Sequence, residues 1–190
     1  MTRPPVTVVT PPAAEPVTRA ELVAQLRLND ATGIEAELDR AIKTAREIFE
    51  ASTGRAVLPT TFRQHEDGWP ADGFRLQRWP VLSFTSVRYF PLAGGVDVEQ
   101  AGFELDNSDC PAVVYHPDAA APAPSRKVRR PVRVTFVAGW ATAADVPAAV
   151  KTAVLLYAAE LYESAFAVRQ VPDGWGRVVD LYRTGLEWAA

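Results

Sequence analysis

Apolar residues recur along residues 34–53 with the period of one face of an α-helix. The positions follow i, i+4, i+7, i+8, i+11, i+14 and i+15, and they are occupied by Ile34, Leu38, Ala41, Ile42, Ala45, Ile48 and Phe49. Gly54 comes next and is expected to end the helix. The spacing predicts a long amphipathic helix over residues 32–53. Charged positions between them, Arg46 and Glu50 included, are expected to face solvent.

The period changes twice between residues 131 and 166. Val132, Val134, Phe136 and Ala138 alternate with polar residues, which predicts a half-buried strand that ends at Gly139. Asp145 is a candidate N-cap, because its carboxylate can accept a hydrogen bond from the first turn of a helix. Pro147 fits that first turn, because it has no N–H group that would need a partner there. The predicted helix over residues 146–166 is apolar on nearly every side. It is therefore expected to be covered on more than one side, by the rest of the fold or by a partner.

The remaining segments complete the expected architecture. Thr18 and Glu21 have the spacing of a capping box, which predicts a helix over about residues 18–28, and helical spacing returns over about 174–188. Residues 58–140 are rich in proline, glycine and aromatic residues and predict short antiparallel strands. Their last connection, residues 116–131, is long for a hairpin turn. Five prolines in the first 16 residues predict a flexible arm.

Composition limits the class of protein. The chain has 190 residues, 48% of them apolar, which favours a single domain over residues 17–190. A net charge of −3 leaves no overall basic field for nucleic acid, so a DNA contact would have to be local. Cys110 is the only cysteine, which excludes an internal disulfide and suits a reducing compartment. No apolar run has the length of a membrane span, and the N-terminus has no signal-peptide core.

Catalytic and metal-binding patterns were not found. His65 and His116 lie in separate segments, without the paired spacing of a metal site. Gly94-Gly95 is followed by neither a helix nor a lysine, so it does not predict a phosphate-binding loop. Neither a serine nucleophile elbow nor a plausible acid and base pair is present. We therefore expect no enzyme activity, no metal and no cofactor.

The connection 116–131 carries four cations in five residues. They are Arg126, Lys127, Arg129 and Arg130, in a chain that is acidic overall. One interpretation is a solvated loop that charge keeps soluble. The other is a contact with DNA phosphates or with an acidic partner surface, whose energy would be sensitive to salt.

The C-terminal segment is unusually aromatic. Leu181, Tyr182, Leu186 and Trp188 are the candidate anchors for a partner, since a few buried aromatic and aliphatic side chains usually dominate an interface. The alternative is packing on the long helix of the same chain, which would tie down a terminus that otherwise frays.

Several short motifs occur in an order that resembles one family. They are Pro16-Val17-Thr18-Arg19-Ala20-Glu21-Leu22, Ala51-Ser52-Thr53-Gly54-Arg55, Thr60-Thr61-Phe62, Arg78-Trp79-Pro80-Val81, Ser86-Val87-Arg88-Tyr89, and Val134-Thr135-Phe136-Val137-Ala138-Gly139-Trp140 followed by Val146-Pro147-Ala148-Ala149-Val150-Lys151. Over residues 16–167 this series resembles the head-tail connector, or head-completion adaptor, proteins of long-tailed phages and gene transfer particles.

The resemblance implies a fold and a role. The fold would be α+β and mainly helical, a small helical bundle with an antiparallel strand or hairpin insertion between the second and third long helices. Copies would form a ring under the portal protein, matching its twelvefold symmetry, extend the DNA channel and dock the next head-completion (stopper) or tail protein. The protein would lie in the neck of a virion or phage-like particle, after assembly in the bacterial host cytoplasm.

Within this family, the aromatic C-terminal segment is expected to be the portal-docking element, and the loop with four cations to contact DNA in the channel or a partner. Two other classes remain as alternatives. A nucleic-acid-binding regulator would need the four cations to belong to a broad positive face. An enzyme would need a convergent polar cluster in a pocket.

Overall fold

The computed structural model describes residues 3–108, 110–117, 122–165 and 171–183. Among these residues the chain forms four helices, α1 (Arg19–Leu26), α2 (Glu35–Thr53), α3 (Ala148–Glu163) and α4 (Trp175–Tyr182). It also forms eight strands, β1 (Val6–Thr10), β2 (Thr60–Glu66), β3 (Phe74–Arg75), β4 (Val81–Tyr89), β5 (Val98–Gln100), β6 (Glu104–Asp106), β7 (Val113–Tyr115) and β8 (Val132–Ala138). None of the four helices combines the length and the hydropathy that a membrane span requires.

The predicted mainly helical bundle is wrong. The strands are not a small insertion into a helical bundle. They form two antiparallel sheets, and these sheets make up a compact unit of the chain. This sheet unit comprises the described residues of Met1–Pro12 and Pro59–Gly139, and the helical unit comprises those of Ala13–Leu58 and Trp140–Thr184. The sequence predicted a single domain over residues 17–190. That the two units fold together as one domain stays a prediction.

The helical unit is built around α2 and α3, and α1 and α4 pack against them. The stripe predicted on α2 is buried, with Leu38, Ala41, Ala45 and Phe49 fully enclosed. Gly54 ends α2 in the left-handed conformation, at a φ of 74°. Because glycine has no Cβ, it adopts this conformation without the strain another residue would suffer.

Two of the predicted helix starts differ from the structure and one is confirmed. The capping box of α1 is present, since Glu21 N–H donates to Thr18 Oγ1 at 3.2 Å and Thr18 N–H donates to Glu21 Oε2 at 2.6 Å. Asp145 does not cap α3, which begins after Pro147. The Asp145 carboxylate instead accepts from the backbone N–H and the hydroxyl of Thr142. Helix α2 begins at Glu35, after its N-cap Ile34, and not at residue 32 as predicted.

The larger sheet of the sheet unit has the order β1-β2-β8-β4-β5. Its central strand β8 confirms the alternating pattern, because Val132, Val134, Phe136 and Ala138 are all buried. Phe136 lies opposite Phe62 of β2, and their rings are 5.8 Å apart. The smaller sheet has the order β3-β7-β6.

Part of the N-terminal arm is fixed in the larger sheet. Residues 1–16 were predicted to be extended or disordered, and Val6–Thr10 are extended and form β1, which pairs antiparallel with β2 in the register of Val6 opposite Gln64. The alternating valines and threonines of β1 have high strand propensity. Prolines flank the strand on both sides without interrupting it.

Candidate assembly surfaces

The loop with four cations is fixed against the end of β4. Ser125 N–H donates to Phe90 O at 2.8 Å, and Phe90 N–H donates to Pro131 O at 2.9 Å. Pro124 forms an isolated bridge with Pro91. We call residues 122–131 the basic loop. Its backbone is therefore held at both ends, although the sequence predicted only a long connection.

The four cations of the basic loop differ in exposure. Arg126, Lys127 and Arg129 are exposed, whereas Arg130 is half-buried and its Nε lies 3.9 Å from Asp67 Oδ1. The loop and Asp67 line a cleft of about 360 Å³. Three of the four predicted contact residues are thus accessible to an anion in solution.

Two further arginines extend the positive charge onto the sheet. Arg133 of β8 lies opposite His65 of β2, and Arg63 lies two residues before His65 on the same strand. Burial lowers the pKa of the His65 imidazole, and the charges of Arg133, Arg63 and Arg130 lower it further. We call Arg63, Arg126, Lys127, Arg129, Arg130 and Arg133 the cationic patch. Arg63 and Arg133 were not predicted as members of this patch, because only the strand register brings them near His65.

Acidic residues neutralise part of the cationic patch. Arg133 Nη1 donates to Asp97 Oδ2 at 3.2 Å, and the same carboxylate oxygen accepts from Arg88 Nε at 3.3 Å. The guanidinium of Arg133 also lies over the Phe90 ring, 4.7 Å from its centroid. Arg133 is therefore committed to contacts within the sheet unit, and the exposed charge is concentrated on the basic loop.

The C-terminal candidates divide between packing and exposure. Leu181 of α4 is 73% exposed. Tyr182 instead packs within the helical unit, with ring centroids 6.4 Å from Phe49 and 6.3 Å from Trp140. Its carbonyl accepts from Arg55 Nε at 2.6 Å. The other two candidates, Leu186 and Trp188, lie outside the described residues.

A second cleft, of about 820 Å³, lies in the sheet unit among aromatic side chains. Trp69 stacks on Phe103 at 5.8 Å, and Phe103 meets the His116 ring edge-on at 5.1 Å. A Cβ on Gly102 would lie 2.6 Å from His116 Nε2, so this glycine permits the approach of the imidazole. His116 is therefore part of this aromatic cluster.

Within residues 3–108, 110–117, 122–165 and 171–183, no group of three or more His, Cys, Asp or Glu side chains is placed to hold a metal ion. The candidate residues are instead distributed over surfaces, on the basic loop and on α4. Such an arrangement can supply contacts to other macromolecules.

No protein-family model and no curated protein sequence matches this chain. Solved structures do match it over nearly the whole length. A chain in the neck of an empty gene transfer agent (GTA) particle, computed with C6 symmetry, superposes with a TM-score of 0.80 at 26% identity, covering 95% of both chains. A chain in the virion of a native GTA particle gives a TM-score of 0.76 at 25% identity, covering 94% of this chain and 95% of the other.

A third match is a chain in the neck of a native GTA particle computed with C12 symmetry, with a TM-score of 0.66, 25% identity and 95% of both chains covered. The resemblance to proteins of gene transfer particles is therefore confirmed, and the predicted location in a particle neck agrees with two of the three structures. The class that the fold defines is a structural component of a virion neck.

Proposed function

We propose that this protein is a head-tail connector whose copies form a ring under the portal, extend the DNA channel and dock the next protein of the neck. The observation that carries the proposal is the match to neck chains over 95% of both sequences. The proposed role is geometric, with no substrate turned over.

Ring formation is supported by the symmetry of the related particles. The matched neck structures were computed with sixfold and twelvefold symmetry. Copies in a ring contact one another head to tail, so each subunit needs two different complementary surfaces. We propose twelve copies, which would match the portal.

The basic loop is the proposed contact with DNA in the channel. Arg126, Lys127 and Arg129 are exposed, and Arg130 is the half-buried fourth member beside Asp67. Lysine and arginine neutralise phosphates without reading sequence, which suits a channel through which any DNA passes. An acidic surface of a neighbouring neck protein is the other partner that this chemistry fits.

The C-terminal segment is the proposed portal-docking element. Leu181 is exposed on α4, while Tyr182 anchors that helix against Phe49 and Trp140. Leu181, Leu186 and Trp188 would then insert into the portal, with Tyr182 in a supporting position. The next head-completion (stopper) or tail protein would bind the opposite face of the ring.

Electron microscopy of the protein mixed with its portal tests the proposal. We expect a ring bound to one end of the portal, with the symmetry of the portal. A nucleic-acid-binding regulator would instead leave the portal bare, and a bare portal would overturn the connector role.

A further inference from the structure

The larger cleft of the sheet unit has the size and the lining of a binding site. Its volume of about 820 Å³ lies within the range of about 300 to 1,000 Å³ that ligand sites usually occupy. Aromatic residues suit such sites, because each ring buries a large apolar area on contact with a ligand. We call this space the aromatic cleft. It is lined by the aromatic residues Trp69, Phe74, Phe103, Tyr115 and His116 and by the acidic residues Asp72 and Asp106.

The aromatic lining is both accessible and fixed in position. Trp69, Phe103, Tyr115 and His116 are half-buried, so part of each side chain still reaches solvent. The indole of Trp69 is held from two sides, because its Nε1 donates to Pro122 O at 2.8 Å and its ring stacks on Phe103. A ligand that enters the aromatic cleft therefore loses little free energy to ordering the side chains of the protein.

Negative charge accumulates beside the rings. Glu104 Oε2 accepts from the Tyr115 hydroxyl at 3.0 Å, and Asp106 Oδ1 accepts from the backbone N–H and the hydroxyl of Ser108. The hydrogen bond to Glu104 raises the pKa of the Tyr115 phenol, and the charges of Glu104 and Asp106 raise it further. The carboxylates around Tyr115 are thus close enough together to act on the same ring.

Cations of the same chain leave this charge uncompensated. Across the described ranges, no lysine or arginine forms an ion pair with Asp72, Glu104 or Asp106. Arg75 of β3 lies opposite Val113 in the strand register, but its side chain is exposed and forms no ion pair with these carboxylates. No described lysine or arginine lines the aromatic cleft. The site therefore combines aromatic surface with unpaired negative charge.

This combination selects a cation that carries an apolar stem. The guanidinium of arginine stacks on aromatic faces and forms two parallel hydrogen bonds with a carboxylate, whereas the ammonium of lysine is a strongly hydrated point charge. The methylene groups of the arginine stem bury apolar area against the rings. A DNA phosphate is unsuited to the aromatic cleft, because the carboxylates of Asp72 and Asp106 repel it.

We propose that the aromatic cleft binds an arginine side chain of another neck protein, with the guanidinium stacked on the aromatic wall beside Asp72 and Asp106. That the partner is a neck protein rests on the proposed function. The densest group of exposed cations on this chain is the basic loop, which is the proposed DNA contact. The arginine is therefore assigned to a different protein and not to a second copy of this chain.

A small arginine probe tests the chemistry of the aromatic cleft on the full chain. In an NMR titration with N-acetyl-arginine amide, we expect saturable shifts of the backbone N–H signals of Gly73 and Gly102, with a Kd of about 1 to 10 mM. N-acetyl-citrulline amide has nearly the same shape without the charge, and it should bind at least about tenfold more weakly. Equal binding of the two probes, or binding of neither, would overturn the proposal.

Neutralising the two carboxylates tests their part in the site. Asp72→Asn with Asp106→Asn keeps the shape of both exposed side chains, and it should weaken binding of N-acetyl-arginine amide at least about tenfold while leaving the citrulline probe unaffected. Glu37→Gln with Asp173→Asn makes the same change of charge at exposed positions of the helical unit and is the control. An equal loss of affinity in both double variants would show an effect of net charge only and would contradict the site.

Cross-linking in assembled particles identifies the source of the arginine. Ala71 lines the aromatic cleft and is exposed, so Ala71→Cys in a Cys110→Ser background can carry a benzophenone label without disturbing the core. We expect a photo-adduct with another neck protein at a peptide that contains arginine, and no such adduct from the same label at Ala36 of the helical unit. Adducts with DNA, or only with a second copy of this chain, would overturn the proposal.

Failure of this inference differs from failure of the proposed function. If unsubstituted protein is absent from the particle neck, the connector role itself is wrong. If it is present but the arginine probe does not bind in the aromatic cleft, the connector role stands and only the arginine site is wrong.

Discussion

Arg46 and Glu50 form a shielded ion pair one turn apart on α2, with Arg46 Nη1 donating to Glu50 Oε2 at 2.7 Å. Arg46 is only 4% exposed, although the sequence placed it on the solvated face of the helix. Its Nε also donates to Glu15 at 2.7 Å, and Glu50 Oε1 accepts from Val57 N–H at 2.8 Å. The pair therefore fixes the segments before and after α2 to that helix.

Burial raises the pKa of the Glu50 carboxyl, against the opposing effects of the Val57 N–H and the Arg46 charge. Burial alone would lower the pKa of Arg46, but its hydrogen bond to Glu15 and the nearby carboxylates raise it. The ionised form of Glu50 is thus stabilised by Arg46 and by the N–H of Val57. Removing one partner should leave a buried charge uncompensated.

Arg46→Met should destabilise the protein by about 3 to 5 kcal/mol at pH 7, because ionised Glu50 would lose its buried partner. A raised folded pKa means that the folded state holds its proton more tightly than the unfolded chain. The deficit should therefore shrink as pH falls through the raised folded pKa of Glu50, and it should be smallest below the ordinary glutamate value of about 4.3. Urea unfolding at several pH values measures this. Lys43→Met, at an exposed position of the same helix, should change stability by no more than about 0.5 kcal/mol; a similar loss in both variants would contradict the role of the pair.

Ile42→Asp should unfold the helical unit. Ile42 is 2% exposed, at the centre of the stripe on α2, and burying an unpaired carboxylate costs several kcal/mol out of a total stability of about 5 to 15. Circular dichroism and the melting temperature measure the effect. Lys43→Asp places the same charge on the exposed side and should remain folded; an unchanged melting temperature in Ile42→Asp would show that the core assignment is wrong.

The features that the sequence predicted correctly depend on local patterns. The stripe on α2 and the alternation in β8 each use neighbours within one element, and the capping box joins Thr18 and Glu21, which are only three positions apart. Strand β1 was missed because prolines around it suggested a flexible arm, and its partner β2 lies more than fifty residues away. The predicted fold class was wrong, because the pattern of one short strand does not indicate which other strands it pairs with. The two sheets and their compact unit therefore could not be predicted from the individual strands.

The candidate interaction surfaces were likewise predictable only where a local pattern in the sequence marks them. Charge density alone identified the basic loop. Arg63 and Arg133 could not be added from sequence, because their approach to His65 depends on the register between β2 and β8. Tyr182 looked like an interface anchor by residue type. Its packing on Phe49 and Trp140 follows from the arrangement of helices, which periodicity does not specify.

Replacing Arg126, Lys127 and Arg129 by glutamine should leave stability within about 0.5 kcal/mol, since exposed side chains away from special features contribute little. Arg130 is kept, because it pairs with Asp67. We expect weaker binding to duplex DNA in fluorescence anisotropy. The slope of log affinity against log salt concentration should decrease by about one unit for each lost phosphate contact. We also expect fewer tailed particles. Glutamine at Arg40, Lys43 and Arg177 removes the same charge from the helical unit and is the control; equal DNA binding and equal tailing in the two variants would make the basic loop a solvated connection only.

His65 reports on the charge around the cationic patch. Burial and then the charges of Arg133, Arg63 and Arg130 hold its pKa below the ordinary value of about 6.5. The folded state therefore binds this proton less readily than the unfolded chain, and the contribution of His65 to stability is lost as pH falls through 6.5 toward the folded pKa. DNA phosphates near the basic loop should offset the arginine charges and raise the pKa of His65. An NMR titration of the His65 imidazole with and without duplex DNA measures this; an unchanged pKa of His65 would place the DNA elsewhere.

The C-terminal segment should separate docking from folding. Deleting Gly185–Ala190 removes Leu186 and Trp188, and together with Leu181→Asp it should abolish co-purification with the portal, since a few apolar anchors dominate most interfaces. The melting temperature should stay near that of the full chain, because Leu181 is 73% exposed. Tyr182→Ala is the contrasting variant: it removes a half-buried ring that packs on Phe49 and Trp140 and should lower stability by about 1 to 3 kcal/mol. If the deletion alone lowers the melting temperature as much as Tyr182→Ala does, the terminal residues belong to the packing of the subunit, and the portal contact must lie on another surface.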